Sequence, residues 1–331
     1  MESLNLEIIN PSPVLTDLRS KIQDIDLSET VYLSRTNRSN LGEGAVSVLD
    51  MSTFGIHEYA LPEVLYMMGI RSMTLDKPFD LETLSKFDLD LTQISSERYL
   101  WHYLRNDSII AELRILFENC RTIAFDNWSA VIGASDVWSG LLTDVIRPIK
   151  RKDFEFIFYL GNPEVKLSFQ VDEAIDIISD FSIYGQVTFA LDEHEAVKLW
   201  KILNGVDPET EIVNDLNRKY ISIFRSINVA RLMIYSAEKV VLFGEQKQFV
   251  LTRTKVDKSV EMASDARENF IAGFSLGLML KLDIARCQAF GLVVFGSFGE
   301  KKVLLSKSDL VDYINSWIED LQKPEAMYLY Q

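Results

Sequence analysis

Apolar and polar positions along this chain fall into two alternating rhythms: short, nearly continuous apolar runs and longer stretches of helical spacing. From about residue 90, "SERYLWHYLRN" and "SIIAELRILFENC" have helical spacing, "RTIAFDNW" is a short β-like run, and "ASDVWSGLLTDVIRPI" is a helix stopped by Pro148. "FEFIFYL" has the density of a buried strand. "VDEAIDIISDFSIYG" then predicts a helix ended by Gly185, "QVTFAL" a strand, and "DEHEAVKLWKILNG" a helix ended by Gly205. "NDLNRKYISIFRSIN" and "ARLMIYSA" continue the pattern. Such alternation predicts an α/β protein with a mostly parallel sheet and helices on both faces.

"KVVLFGEQKQFVLTRTKV" has the pattern of an antiparallel hairpin closing one sheet edge, and it precedes three helical stretches. These are "SDARENFIAGFSLGLML", "DIARCQAFGLVVFGSFG" and the amphipathic "SKSDLVDYINSWIEDLQ". In residues 1–55 a short helix "SPVLTDLRSKIQDI" and a strand "TVYLS" precede the turn-rich "RTNRSNLGEGAVSVLDMSTFG". No internal repeat or low-complexity segment is visible, so the 331 residues are expected to form a single domain.

Charge narrows the partners. The 49 Asp and Glu against 34 Lys and Arg give a formal net charge of −15, a field that repels phosphate backbones and anionic lipid headgroups. Neither a nucleic acid nor a membrane is an expected partner. The start "MESLNLEIINPSP" has neither the basic opening nor the apolar centre of a signal peptide, and no apolar run approaches the roughly 18 residues that span a bilayer. A cytoplasmic protein is the expectation.

Cys120 and Cys287 are far apart, each within an apolar helical pattern, and are expected to be buried free thiols rather than a disulfide or zinc pair. His57, His102 and His194 are scattered with no second ligand at metal spacing. No G-x-x-x-x-G-K-[ST] loop, G-x-G-x-x-G loop or G-x-S-x-G elbow is present.

Two helix starts carry the polar chemistry. In "SDARENF" Asp265 stands as a cap with Glu268 three residues on, the spacing of a capping box; "DEHE", with Asp192 and Glu195, repeats it. Downstream, Gly273 and Gly277 lie one turn apart beside Phe270 and Phe274, which predicts close packing of that helix on the sheet.

The order of strand, hairpin, turn, helix with "AGF" and a second helix resembles the ribokinase-like (PfkB) carbohydrate kinases, whose corresponding block reads T-G-A-G-D-x-F-x-A-G-F. On that block Ser264 takes the threonine position, Asp265 and Arg267 replace both glycines, and Glu268 stands where the catalytic aspartate belongs. Ala266, Asn269, Phe270, Ala272, Gly273 and Phe274 fit it. "FDNWSAVIGASDVWSGLLTDVIRPI", with Asn127, resembles the family's N-W block and helix. "FIFYLGNPEV" resembles its F-D-L-x-D-P strand, with Tyr159 and Asn162 where aspartates are usual. "YGQVTFALDEHEAVKL" resembles its strand ending in N-x-x-E, and "GEGAVSVLDMSTFG" its sugar-binding Gly-Asn-Gly block, with Glu43 for the asparagine between Gly42 and Gly44.

The resemblance implies a three-layer ribokinase-like fold with a reduced N-terminal, lid-like region over about 1–55 and a core over about 90–325. It implies ATP and magnesium as cofactors of an active member. It makes Glu268 the base position and Arg267 a phosphate clamp, with Ser264, Asp265, Ala266 and Asn269 at the nucleotide. Gly42, Glu43, Gly44 and Asn127 fall at the sugar, and Asp192 with Glu195 at the water shell of magnesium. The replaced glycines argue against turnover: glycine lets consecutive N–H groups reach a phosphate at a helix start, and a Cβ crowds that approach. A carboxylate at 265 adds about 4 kcal/mol of repulsion at 4 Å and an effective dielectric near 20, about a thousandfold in rate.

Three functional readings follow. The first is a pseudokinase whose phosphotransfer is weakened or lost and whose cleft binds a sugar or nucleotide for a regulatory purpose. The second is a working sugar kinase using Glu268 and Arg267, and the third a structural subunit. A homodimer and a protein partner are both compatible with the sequence.

Overall fold

The computed structural model describes residues 4–24, 31–34, 49–54, 71–74, 101–105, 122–125, 128–130, 133–210, 215–236, 238–253, 266–301 and 307–323, with isolated positions between 107 and 118. Among the described residues, ten strands form one sheet: β1 Asn5–Ile8, β2 Val31–Ser34, β3 Leu49–Phe54, β4 Arg71–Thr74, β5 Thr122–Phe125, β6 Phe154–Tyr159, β7 Gly185–Asp192, β8 Arg231–Tyr235, β9 Lys239–Phe243 and β10 Lys247–Thr252. Their order is β4-β2-β3-β5-β6-β7-β8-β9-β10-β1. Every pairing is parallel except those of β9, which runs against both β8 and β10.

The eight longer helices among the described residues are α1 Pro11–Asp24, α2 Ala134–Gly140, α3 Ser168–Phe181, α4 Glu193–Leu203, α5 Leu216–Ser226, α6 Ala266–Met279, α7 Ile284–Lys301 and α8 Lys307–Gln322. Strand parity sorts them into two layers. Phe154, Phe156 and Phe158 of β6, with Val187, Phe189 and Leu191 of β7, meet α2 to α5 on one face. Ile157, Ala190, Met233 and Tyr235 point the other way, into a second core with α1, α6, α7 and α8. The three-layer α/β architecture expected from the sequence is present.

Three local expectations are corrected. The β9–β10 hairpin is not the sheet edge, because β1 pairs with β10 in parallel, from Asn5 opposite Lys247 to Ile8 opposite Val250. The described portions of 1–55 thus supply three strands to the main sheet. Gly185 does not end a helix: α3 stops at Phe181, and Gly185 opens β7 opposite Phe154, whose carbonyl oxygen would lie 2.2 Å from a Cβ at 185. Gly205 does follow its helix, at a left-handed φ of 61°. The helix begun at Ala134 continues past Gly140 as a π-helical stretch, Leu141–Ile146, and ends at Ile149, one residue after Pro148.

The third correction concerns Gly273 and Gly277, which pack on α7 and not on the sheet. A Cβ at 273 would fall 2.6 Å from the Phe290 carbonyl oxygen, and one at 277 would fall 2.9 Å from the Cα of Cys287. The neighbour is backbone and cannot rotate away. Gly273→Ala is expected to cost about 2 kcal/mol through overpacking, against up to about 1 regained in helix propensity, read as a lower urea midpoint.

Cys287 is a buried free thiol, as expected, whereas Cys120 lies outside the described residues. Burial pushes the Cys287 thiol up from its ordinary value to about 12; Arg231 opposes the shift and Glu155 adds to it. The unfolded thiol ionises first as pH rises, so this group subtracts stability progressively above its ordinary range, from about pH 9 towards 12. With Cys120 replaced by serine, a thiol reagent at pH 8 should label Cys287 only at the rate of unfolding; immediate labelling would place the thiol in solvent.

Candidate functional site

Ligands of open α/β sheets bind beyond the carboxyl ends of the strands, and Tyr159, Asp192 and Glu195 lie at those ends. β6 ends in Tyr159, β7 in Asp192 and β8 in Tyr235, and Asp192 is paired with Tyr235 in register. Asp192 and Glu195 form the capping box that opens α4. Glu195 N–H donates to Asp192 Oδ1 at 2.7 Å, and Asp192 N–H donates to Glu195 Oε2 at 2.9 Å. Each bond satisfies an N–H that the helix start would leave without an intrahelical acceptor.

A third residue joins them. The Tyr159 hydroxyl donates to Glu195 Oε1 at 3.1 Å, from the strand next to β7. Tyr159, Asp192 and Glu195 are 5%, 1% and 2% exposed, so the pair sits in a low-dielectric setting. Burial and the charges of Glu193 and Asp192 together push the nearby Tyr220 hydroxyl upward. Glu193, next in α4, is paired with Lys239 at 2.9 Å. Among the described residues, no group of three or more His, Cys, Asp or Glu is arranged to hold a metal ion.

α6 reaches this end of the sheet through an aromatic stack. The Phe270 ring lies on Tyr235 with centroids 4.3 Å apart and planes 3° apart. The helix starts at Ala266, so Arg267, Glu268 and Asn269 occupy the turn that leads into Phe270. Ser264 and Asp265 lie outside the described residues, as do Gly42, Glu43, Gly44, Asn127 and His57. Of the expected site residues, the structure joins Asp192 to Glu195, and the Phe270 ring ties α6 to the end of β8.

Asn162 does not join the carboxylates. It caps the turn Pro163–Val165, accepting from Glu164 N–H at 3.2 Å, and it also accepts from Lys198 Nζ at 3.2 Å. Lys198 is itself paired with Glu164 at 2.9 Å. Beside Asn127, Trp128 donates to Ser135 Oγ at 2.8 Å and Ser129 N–H to the Leu160 carbonyl at 2.7 Å, tying that block to the end of β6. A separate groove of about 490 Å³ between α2 and α3 is lined by Asp136, Asp172, Asp176 and Asp180, a charge that disfavours phosphate.

Sequence reasoning missed the Tyr159 to Glu195 bond and the Tyr235 to Phe270 stack. Strand parity was the available signal, since Tyr159 and Tyr235 each end a run whose alternate residues fill the opposite core.

No protein-family model matches the sequence, and no curated protein does. Among solved structures, the apo adenosine kinase of Trypanosoma brucei brucei superposes with a TM-score of 0.50 at 12% identity, covering 90% of this chain and 83% of that one. The fold is that of the ribokinase-like kinases. Other structures similar to this chain include a mutant of Escherichia coli phosphofructokinase-2, with TM-score 0.49, 10% identity and coverage of 87% and 98%. Anopheles gambiae adenosine kinase in complex with a di(adenosine) tetraphosphate has TM-score 0.48, 16% identity and coverage of 75% and 72%. No helix among the described residues is long and apolar enough to cross a membrane.

Proposed function

We propose that this protein is a ribokinase-like pseudokinase: its phosphotransfer is weakened or lost, and its cleft binds a sugar or nucleoside-like alcohol in a binding or regulatory role. The observation that carries the reading is the triple replacement at the start of α6. Asp265 and Arg267 stand at the positions of both phosphate-cradling glycines, and Glu268 at that of the aspartate base. A Cβ at either position would crowd N–H groups that approach a phosphate, and a carboxylate at 265 would repel the charge that develops on transfer. Starting α6 at Ala266 puts Asp265 one residue before the helix and Glu268 three residues later, the spacing that supports a cap in place of the cradle.

The competing reading is an ATP-dependent kinase in which Glu268 takes the proton of the acceptor hydroxyl and Arg267 clamps the phosphate. Glu268→Gln separates the two. With magnesium-ATP and a panel of sugars and nucleosides, the pseudokinase reading expects the wild type to transfer at the background rate and the variant to match it. Turnover by the wild type that falls at least a hundredfold in Glu268→Gln would establish the active kinase. Binding of adenosine or ribose, followed as a thermal shift, tests the cleft itself.

A further inference from the structure

The fold implies magnesium at Asp192 and Glu195, and the geometry of these residues does not fit it. Magnesium demands near-octahedral oxygen geometry and keeps several waters, so a carboxylate that serves it needs a free oxygen edge facing water. Both oxygens of Glu195 are already committed, Oε1 to the Tyr159 hydroxyl and Oε2 to Asp192 N–H. Asp192 Oδ1 is committed to Glu195 N–H, and Oδ2, its other oxygen, is buried away from solvent and presents no edge to water. With the two residues 1% and 2% exposed, a hydrated cation has no approach that leaves the bonds intact.

We infer that Tyr159 turns the Asp192–Glu195 pair into a closed helix cap that takes no divalent cation, so that ligand binding in this cleft is independent of metal. Tyr159 is a positioning residue here: it ends β6, points away from the face holding Phe154, Phe156 and Phe158, and reaches Glu195 from the neighbouring strand. A cation could engage Glu195 only by reaching a buried carboxylate and competing with two buried donors for its oxygens. The inference rests on the proposed function for the place of the cleft and not for the state of the carboxylates.

Manganese(II) serves as the probe, its bound fraction read by electron paramagnetic resonance on the full chain without any organic ligand. Wild type and Glu195→Gln are expected to retain the same low manganese up to about 1 mM. Tyr159→Phe, which withdraws one donor from Glu195, is expected to raise retention at least tenfold, and adding Glu195→Gln to it should abolish the gain. Stoichiometric manganese on the wild type that Glu195→Gln removes would overturn the inference. Retention by Tyr159→Phe equal to wild type would also overturn it, since Tyr159 would not be what closes the pair. Adenosine or ribose titrated in chelator and in magnesium should give one affinity. A magnesium-dependent affinity contradicts this inference, whereas silence in both arms contradicts only the proposed binding cleft.

Discussion

Phe158→Ala is expected to lower the stability of the fold by about 4 kcal/mol. Phe158 is fully buried at the centre of an aromatic cluster, with ring centroids 4.6 Å from Phe125, 4.9 Å from Phe181 and 5.0 Å from Trp138. The Phe125 ring is stacked and the other two meet it edge-on, arrangements worth about 0.5–1.5 kcal/mol beyond buried area. Truncation removes these contacts together with the transfer energy of the side chain, and β5, α2 and α3 close only partly over the cavity. Since a domain is stable by roughly 5–15 kcal/mol, the loss should appear as a large fall in the urea midpoint with an unchanged slope. Phe158→Leu should cost about half as much. A loss below about 1 kcal/mol for the alanine variant would mean that this cluster is not the core that organises the sheet.

The second large effect is expected at Glu195. Glu195→Ala removes the acceptor for both Asp192 N–H and the Tyr159 hydroxyl, two buried donors, and dismantles half of the capping box that opens α4. Withdrawing an acceptor from buried donors costs about 1–3 kcal/mol each, and a lost cap about 1; about 3 kcal/mol in total is expected after local relaxation. Tyr159→Phe alone should cost about 1 kcal/mol, and a double-mutant cycle between the two positions should show coupling, because they share one bond. Additive effects would place Tyr159 outside the network. The stability loss expected at Glu195 is a structural one and stands apart from manganese retention, which reports the carboxylate edge itself.

Much of this architecture is legible in the order of the residues. "FEFIFYL" is the nearly continuous apolar run expected of a strand buried on both faces, Gly205 marks a helix end, and "DEHE" announces the cap found at Asp192 and Glu195. Other features are illegible for physical reasons. β1 has four residues, "NLEI", all exposed, so neither alternation nor burial marks it as a strand; pairing with β10 makes it one. Gly185 carries the same letter as a helix-ending glycine, and only the approach of the Phe154 carbonyl shows that it belongs to β7. The glycines of α6 announce close packing, but a helix pattern does not say whether the partner is a sheet or α7. Tyr159 and Glu195 are separated by 36 positions, and their bond follows from strand adjacency, which spacing does not encode.

The replaced residues at 265, 267 and 268 and the closed carboxylate pair bear on one outcome, the fate of a nucleotide offered with its metal. Calorimetric titration of the purified protein with magnesium-ATP reads it most directly, without a choice of sugar. The account predicts no heat of binding up to millimolar nucleotide. Binding near 1 μM, about −8 kcal/mol, would contradict it and restore the reading of an ATP-dependent kinase, to be tested with a screen of acceptors.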